Sequence, residues 1–343
     1  MTQAGRRSAA VDAVRIVGVV AVVVGHTWEA EMFQRLIYSW QVPVFFVLTG
    51  YFWTAQRPLG MEVRKRSLTL LRPYAFWLGV VGALFLGRSV LESGMSRLPS
   101  DVWHMVLGGS YAVRPFTAFW FATALFFGVL ALRSLQRFPM WVQWSVAGVA
   151  LAVAYVIPGF VNSIPLSAGT GVACLVFMVA GVAFRSVRDR IPSTPALGAV
   201  FVTAGLTLAG LDVTDSLSLK NANFGTVIAS PLVAISISVG LVLVAEWAVP
   251  MLSDRVQDVI TTVALGGWMV VLTHPVILWA LSTPPTGSWV ACALCIAVPW
   301  IAAMVLLRTP LAPLALGVPT RTPARLAHEG LAGQPGGPTL AAG

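Results

Sequence analysis

The sequence predicts an all-α fold, a polytopic membrane bundle of about ten transmembrane helices, on three observations. Hydrophobic residues are 57% of the chain and charged residues 10%, whereas a soluble domain carries about a quarter charged residues. The apolar residues fall in runs of about twenty, the length that crosses a hydrocarbon core of ~30 Å. Lysine and arginine gather in alternate connections between those runs.

The runs lie at about 11–28, 37–55, 70–91, 116–132, 141–158, 168–184, 195–211, 225–249, 259–281 and 286–307. The first follows Arg6 and Arg7 in the manner of a secretion signal. No small-x-small cleavage site follows, because Gly25-His26-Thr27-Trp28-Glu29 comes next, so this run is expected to remain as the first span. The second contains Pro43 and ends before Arg57, and the third starts behind Arg64-Lys65-Arg66. Pro115 and Arg133 bound the fourth, Pro139 and Pro158 the fifth, and Pro165 and Arg185 the sixth. Pro195 and Asp212 bound the seventh, Gly225 and Pro250 the eighth, Asp258 and Pro284 the ninth, and Gly287 and Arg308 the tenth.

With the N-terminus inside, cytoplasmic segments hold Arg6, Arg7, Arg57, Arg64, Lys65, Arg66, Arg133, Arg137, Arg185, Arg188, Arg190, Arg255, Arg308, Arg321 and Arg325. Outer segments hold only Arg35, Arg97, Arg114 and Lys220. That bias predicts an even number of spans in a multi-pass cell-membrane protein with both termini cytoplasmic. Residues 1–10 form a short cytoplasmic segment, 11–308 the transmembrane domain, and 309–343 a Pro-, Gly- and Ala-rich tail expected to be disordered. The formal charge of +9 does not imply nucleic acid, because the basic residues sit in small clusters between apolar runs. Cys174, Cys292 and Cys295 lie inside apolar stretches with no histidine or second cysteine pair nearby, so they are expected to be small core residues and no metal site is expected.

Ionisable residues inside a span cost several kcal/mol unless they face protein or water, which makes the first run informative. At 100° per residue Asp12, Arg15, His26 and Glu29 fall within a sector of about 100° on one helical face, and Gly18 and Gly25 near it permit close helix approach. Arg15 and His26 are separated by about three turns, ~16 Å of rise. Asp12 pairing with Arg15 at the membrane edge and Glu29 lying in the loop is the plain structural alternative. His26 is the residue suited to proton transfer near neutral pH, and its alignment with an intramembrane arginine points to a site.

Five blocks of sequence resemble the membrane-bound acyltransferase-3 family, which includes O-acetylases of surface polysaccharides. Asp12-x-x-Arg15 and then His26 are similar to the family's Arg-x10-His signature in its first helix. Pro43-Val44-Phe45-Phe46-Val47-Leu48-Thr49-Gly50-Tyr51 resembles its P-x-F-F-x-L-S-G-[FY] block, with Thr49 in place of Ser and Gln41 where many members carry His. Arg64-Lys65-Arg66 leading to Arg72-Pro73-Tyr74-Ala75-Phe76-Trp77, then Phe119-Trp120-Phe121, then Thr273-His274-Pro275 follow in family order. The resemblance covers about residues 11–280.

It implies transfer of an acyl group, with acetyl expected, from acyl-coenzyme A as co-substrate to a hydroxyl of a carbohydrate or lipid-linked acceptor within membrane lipids, with no bound cofactor. His26 is then the general base and Arg15 its electrostatic partner or a holder of donor phosphates. Asp12, Glu29 and His274 are possible support, though His274 is equally a packed core histidine. Arg66 and Arg72, with Arg64, are the expected donor-binding cations; positive-inside topology is their plain alternative. Gln41, Thr49, Tyr51 and Trp120 are acceptor or cavity residues, against helix packing or interface anchoring. A transporter or flippase using Arg15, His26 and His274 as a substrate or proton path is the competing class, and a purely structural membrane subunit a third.

Overall fold

Helix follows the apolar runs one after another in the computed structural model, which describes residues 8–54, 57–191 and 195–318. The first half holds α1 (Ala9–Thr27), α2 (Glu31–Tyr38), α3 (Pro43–Tyr51), α4 (Leu59–Arg66), α5 (Arg72–Ser93), α6 (Leu98–Leu107), α7 (Trp120–Leu135) and α8 (Met140–Val156). The second holds α9 (Pro158–Ser163), α10 (Ala168–Ala173), α11 (Leu175–Val187), α12 (Pro195–Gly210), α13 (Ala229–Ala248), α14 (Asp254–Ala280), α15 (Trp289–Leu306) and the short α16 (Ala312–Ala315). Among the described residues there is no β-strand, only one isolated bridge between Ser218 and Asn223.

Among the described residues five helical stretches are long and apolar enough to cross a membrane: Ala9–Thr27, Leu59–Leu107, Ala229–Met251, Asp254–Ala280 and Trp289–Leu306. Pro165–Ala173 and Leu175–Arg190, bent by 44°, make a sixth if they act as one. The runs at 116–132, 141–158 and 195–211 become shorter apolar helices, Trp120–Leu135, Met140–Val156 and Pro195–Gly210. The second run departs most from expectation. It breaks between α2 and α3, where Ser39–Val42 turn and Pro43 opens the next helix without an N–H to give. At 1.5 Å per residue α3 is only ~13 Å long, less than half of a ~30 Å hydrocarbon core.

Contacts give the helix directions. α1 runs parallel to α14, with Val19 against Gly267 and His26 against His274. α14 runs antiparallel to α15: the Trp300 indole N–H donates to the Val263 carbonyl at 2.9 Å, and Cys295 Sγ lies 3.5 Å from the His274 carbonyl. α3 and α11 meet through glycines, where a Cβ on Gly50 would fall 1.9 Å from the Met178 carbonyl oxygen and one on Gly181 2.1 Å from that of Val47. The main core forms there and on α7, from buried Phe46, Val47, Ala124, Leu132, Leu175, Phe177 and Met178. On the outside Leu84, Val149 and Ile301 are exposed, as suits helices whose solvent is lipid.

The tail differs from expectation at its start. α16 packs on α5, with Trp77 donating its indole N–H to the Ala315 carbonyl at 2.8 Å, because Ala312, Ala315 and Leu316 bury against Phe76 and Trp77. The remainder of the tail expected to be disordered, 319–343, lies outside the described residues.

Candidate active site

Because α1 and α14 run in the same direction, His26 and His274 meet near the ends of both helices. The rings stack with centroids 5.0 Å apart and planes 13° apart, and His26 Nδ1 lies 2.7 Å from His274 Nε2. Pro275 sits inside α14 and cannot donate to the carbonyl one turn back, which loosens the backbone here. His274 Nδ1 is 3.0 Å from the Val270 carbonyl oxygen. A carbonyl only accepts, so the network assigns a proton to His274 Nδ1 and, for a neutral ring, a lone pair to its Nε2. His26 must then carry its proton on Nδ1, leaving His26 Nε2 as a free lone pair.

His26 lines a cavity of about 500 Å³. Gly25 allows it: a Cβ there would come within 2.8 Å of both Gln41 Oε1 and the Tyr38 ring. Gln41 and Trp120, expected from the sequence, are in the same wall, and Gln41 Oε1 is buried with no hydrogen-bond partner among the described residues. Glu29 reaches the rim rather than the His26 ring, since α1 ends at Thr27 and the carboxylate pairs with Arg114 at 3.3 Å.

Several wall residues were not singled out from the sequence: Arg114, Lys220, Gln34, Tyr38 and Asn221. Arg114 also donates to the carbonyls of Thr283 and His26, tying three segments together. Lys220 arrives on the connection between α12 and α13, which folds back into the bundle through buried Leu217, Leu219, Ala222 and Phe224. Tyr155 holds it by donating its hydroxyl to the Phe224 carbonyl at 2.9 Å. Lys220 Nζ donates to the Ala112 carbonyl at 2.6 Å, and burial pushes its ammonium down to about 8. One signal for these two cations was present: basic residues are scarce in the segments assigned to the outer side, so each one there needs a reason.

The other expected residues gather at the opposite end of α1. Arg15 donates to Asp12 at 2.7 Å, Asp12 being fully buried, and neither lines the cavity. Thr49 donates its hydroxyl to the Phe45 carbonyl of its own helix at 2.7 Å. Tyr51 stacks on Phe184 and donates to Glu246, which Arg188 also binds, each at 2.6 Å. Arg66 donates to Glu62 at 2.7 Å. Arg57 and Arg133 bind the same carboxylate at 2.8 and 3.0 Å, and Arg133 lies 3.9 Å over the Trp53 ring. Arg64 is exposed on α4 and Arg72 is half-buried at the first turn of α5.

No curated protein and no solved structure matches the chain. A family model described as an acyltransferase domain, acyltransferase-3, matches residues 8–305, from the turn before α1 almost to the end of α15. A match over that much of the 343 residues means that this multi-pass membrane chain belongs to the acyltransferase-3 family.

Proposed function

We propose that the chain is a membrane-bound O-acyltransferase that moves an acyl group, with acetyl expected, from acyl-coenzyme A to a hydroxyl of a carbohydrate or similar acceptor. The observation that carries this reading is His26 in a cavity wall, backed by the buried His274, with one ring nitrogen of His26 left free for substrate. The acceptor hydroxyl gives its proton to His26 Nε2 while its oxygen attacks the acyl carbonyl carbon. The tetrahedral intermediate expels the thiolate as the C–S bond breaks, and His26 returns the proton to sulfur. His274 is a positioning residue: it accepts the Nδ1–H of His26 and holds that bond when His26 becomes an imidazolium.

The donor's phosphates belong at the opposite end, with Arg66, Arg72 and Arg64, where guanidinium groups suit multiply charged oxyanions. Arg15, ~16 Å from His26 along α1, serves that end of the donor and not the reacting carbonyl. An extended donor laid along the first helix connects the two. The bias of Lys and Arg puts the Arg15 end and both termini in the cytoplasm, where acyl-coenzyme A is the co-substrate, and turns the cavity toward the far face.

The test is thioester cleavage. Detergent-purified protein given acetyl-coenzyme A and acceptor should release free thiol and acetylated acceptor; a transporter has no reason to break that bond, and intact acetyl-coenzyme A under all conditions would remove the reading. Comparing glycans and lipids from deletion and wild-type cells identifies the acceptor.

A further inference from the structure

Charge in the cavity wall is unbalanced. The ionisable side chains of fixed charge that line it are Lys220, Arg114 and Glu29, which leaves one cation in excess. Arg114 is answered by Glu29 at 3.3 Å. Lys220 has only the neutral Ala112 carbonyl for its Nζ, and among the described residues no carboxylate forms an ion pair with it. An ammonium drawn partly out of water into the wall of a cavity is unfavourable unless an anion or enough acceptors surround it. The fold nevertheless fixes it there, since buried Leu219 precedes it, buried Ala222 follows two residues later, and Ala112 orients its head two residues from Arg114. His26 belongs to the same wall.

We infer that the hydroxyl acceptor is itself anionic: Lys220, with Arg114 beside it, holds a carboxylate or phosphate of the acceptor while a hydroxyl of the same molecule meets His26. This rests on the acyltransferase reading and adds to it the charge class of the substrate. A cation held for structure alone would bind the Ala112 carbonyl equally well with any acceptor present, so selectivity between acceptors separates the two roles.

The experiment offers the full-length protein in detergent acetyl-coenzyme A with glucose, glucuronate or glucose 6-phosphate, and measures free thiol and acetylated sugar. One charged sugar should be used roughly tenfold or more better than glucose, the size expected of a hydrogen bond to a charged group; which of the two wins separates carboxylate from phosphate. Lys220→Gln, which keeps a donor for the Ala112 carbonyl, should abolish the preference by raising the Michaelis constant of the charged sugar, and Lys220→Arg should restore it. Glucose used as well as the charged sugars, or a preference that survives in Lys220→Gln, overturns the inference while leaving the acyltransferase reading intact. No thiol release with any sugar removes that reading, and this inference with it. If thiol is released but no sugar is acetylated, binding decides, because Trp120 shares the wall. Fluorescence quenching absent from Trp120→Phe, produced by a charged sugar and not by glucose, and lost in Lys220→Gln supports the inference; equal quenching by all three, or none, overturns it.

Discussion

At the Arg15 end of the bundle each buried carboxylate is met by arginine: Glu62 by Arg57, Arg66 and Arg133, and Asp12 by Arg15, with the partly exposed Glu246 held by Arg188 and Tyr51. At the His26 end two cations face one carboxylate around a cavity, and the polar core is a pair of imidazoles. The Glu62 cluster is itself rich in cations, three arginines to one carboxylate, yet each of them is bound to that carboxylate, and Arg133 thereby fastens α7 to α4, whereas Lys220 at the cavity meets only a neutral carbonyl. Charges and lone pairs left open toward a cavity are available to a ligand. The family's arginine and histidine blocks therefore fall into two physically different environments on one helix, and the comparison can be broken or sharpened by mutation.

The largest effect is expected at His26. His26→Ala should lower transfer by ~10²–10⁴-fold, the usual contribution of a general base, with expression and membrane insertion unchanged. His26→Gln, polar but unable to take up the proton, should fail as well; near-normal activity in that variant would make His26 a packing residue. At the other end Glu62→Ala strands the buried Arg133 beside two further arginines and should cost about 3–5 kcal/mol, read as a large drop in thermal stability in detergent. A stable Glu62→Ala protein that instead loses only donor binding would mean that this network recognises substrate.

A smaller loss is expected at His274. His274→Ala deletes the acceptor for His26 Nδ1–H and should reduce kcat by roughly 10–100-fold, the worth of one hydrogen bond to a charged group, while shifting the pH profile of kcat. A fall in protein level with an unchanged pH profile would reduce His274 to a core residue. The smallest effect is that of Arg66→Gln with Arg72→Gln, which should raise the donor's apparent Michaelis constant severalfold, in line with partly exposed cations that water and salt screen. Altered insertion with an unaltered Michaelis constant would show that these charges serve topology.

The first helix was legible because its information is local: 100° per residue is enough to align Asp12, Arg15 and His26, whereas Glu29, expected with them, lies beyond the helix end at Thr27. The apolar runs were legible for the same reason. What periodicity cannot give is the meeting of distant segments. His26 and His274 are 248 residues apart, Arg114 and Glu29 85, and Lys220 and Ala112 108. The five-block resemblance named both histidines but not their contact, and it gave no weight to Arg114 or Lys220. Hydrophobicity also joined 37–55 into one run, since it does not register the turn before Pro43 that breaks the helix.

The connection between α12 and α13 forms one wall of the cavity without belonging to any spanning helix, anchored by the buried side chains of Leu217, Leu219, Ala222 and Phe224. The histidine pair on α1 and α14 and the arginine network around Glu62 lie outside that connection. On the proposed reading the molecule thus keeps part of its selectivity apart from its chemistry along the chain, in the way a tool separates its drive from an interchangeable head. On that reading a change of acceptor calls for changes in this loop of some eighteen residues, Leu211 to Ile228, and in its neighbours in the wall, rather than for a new bundle.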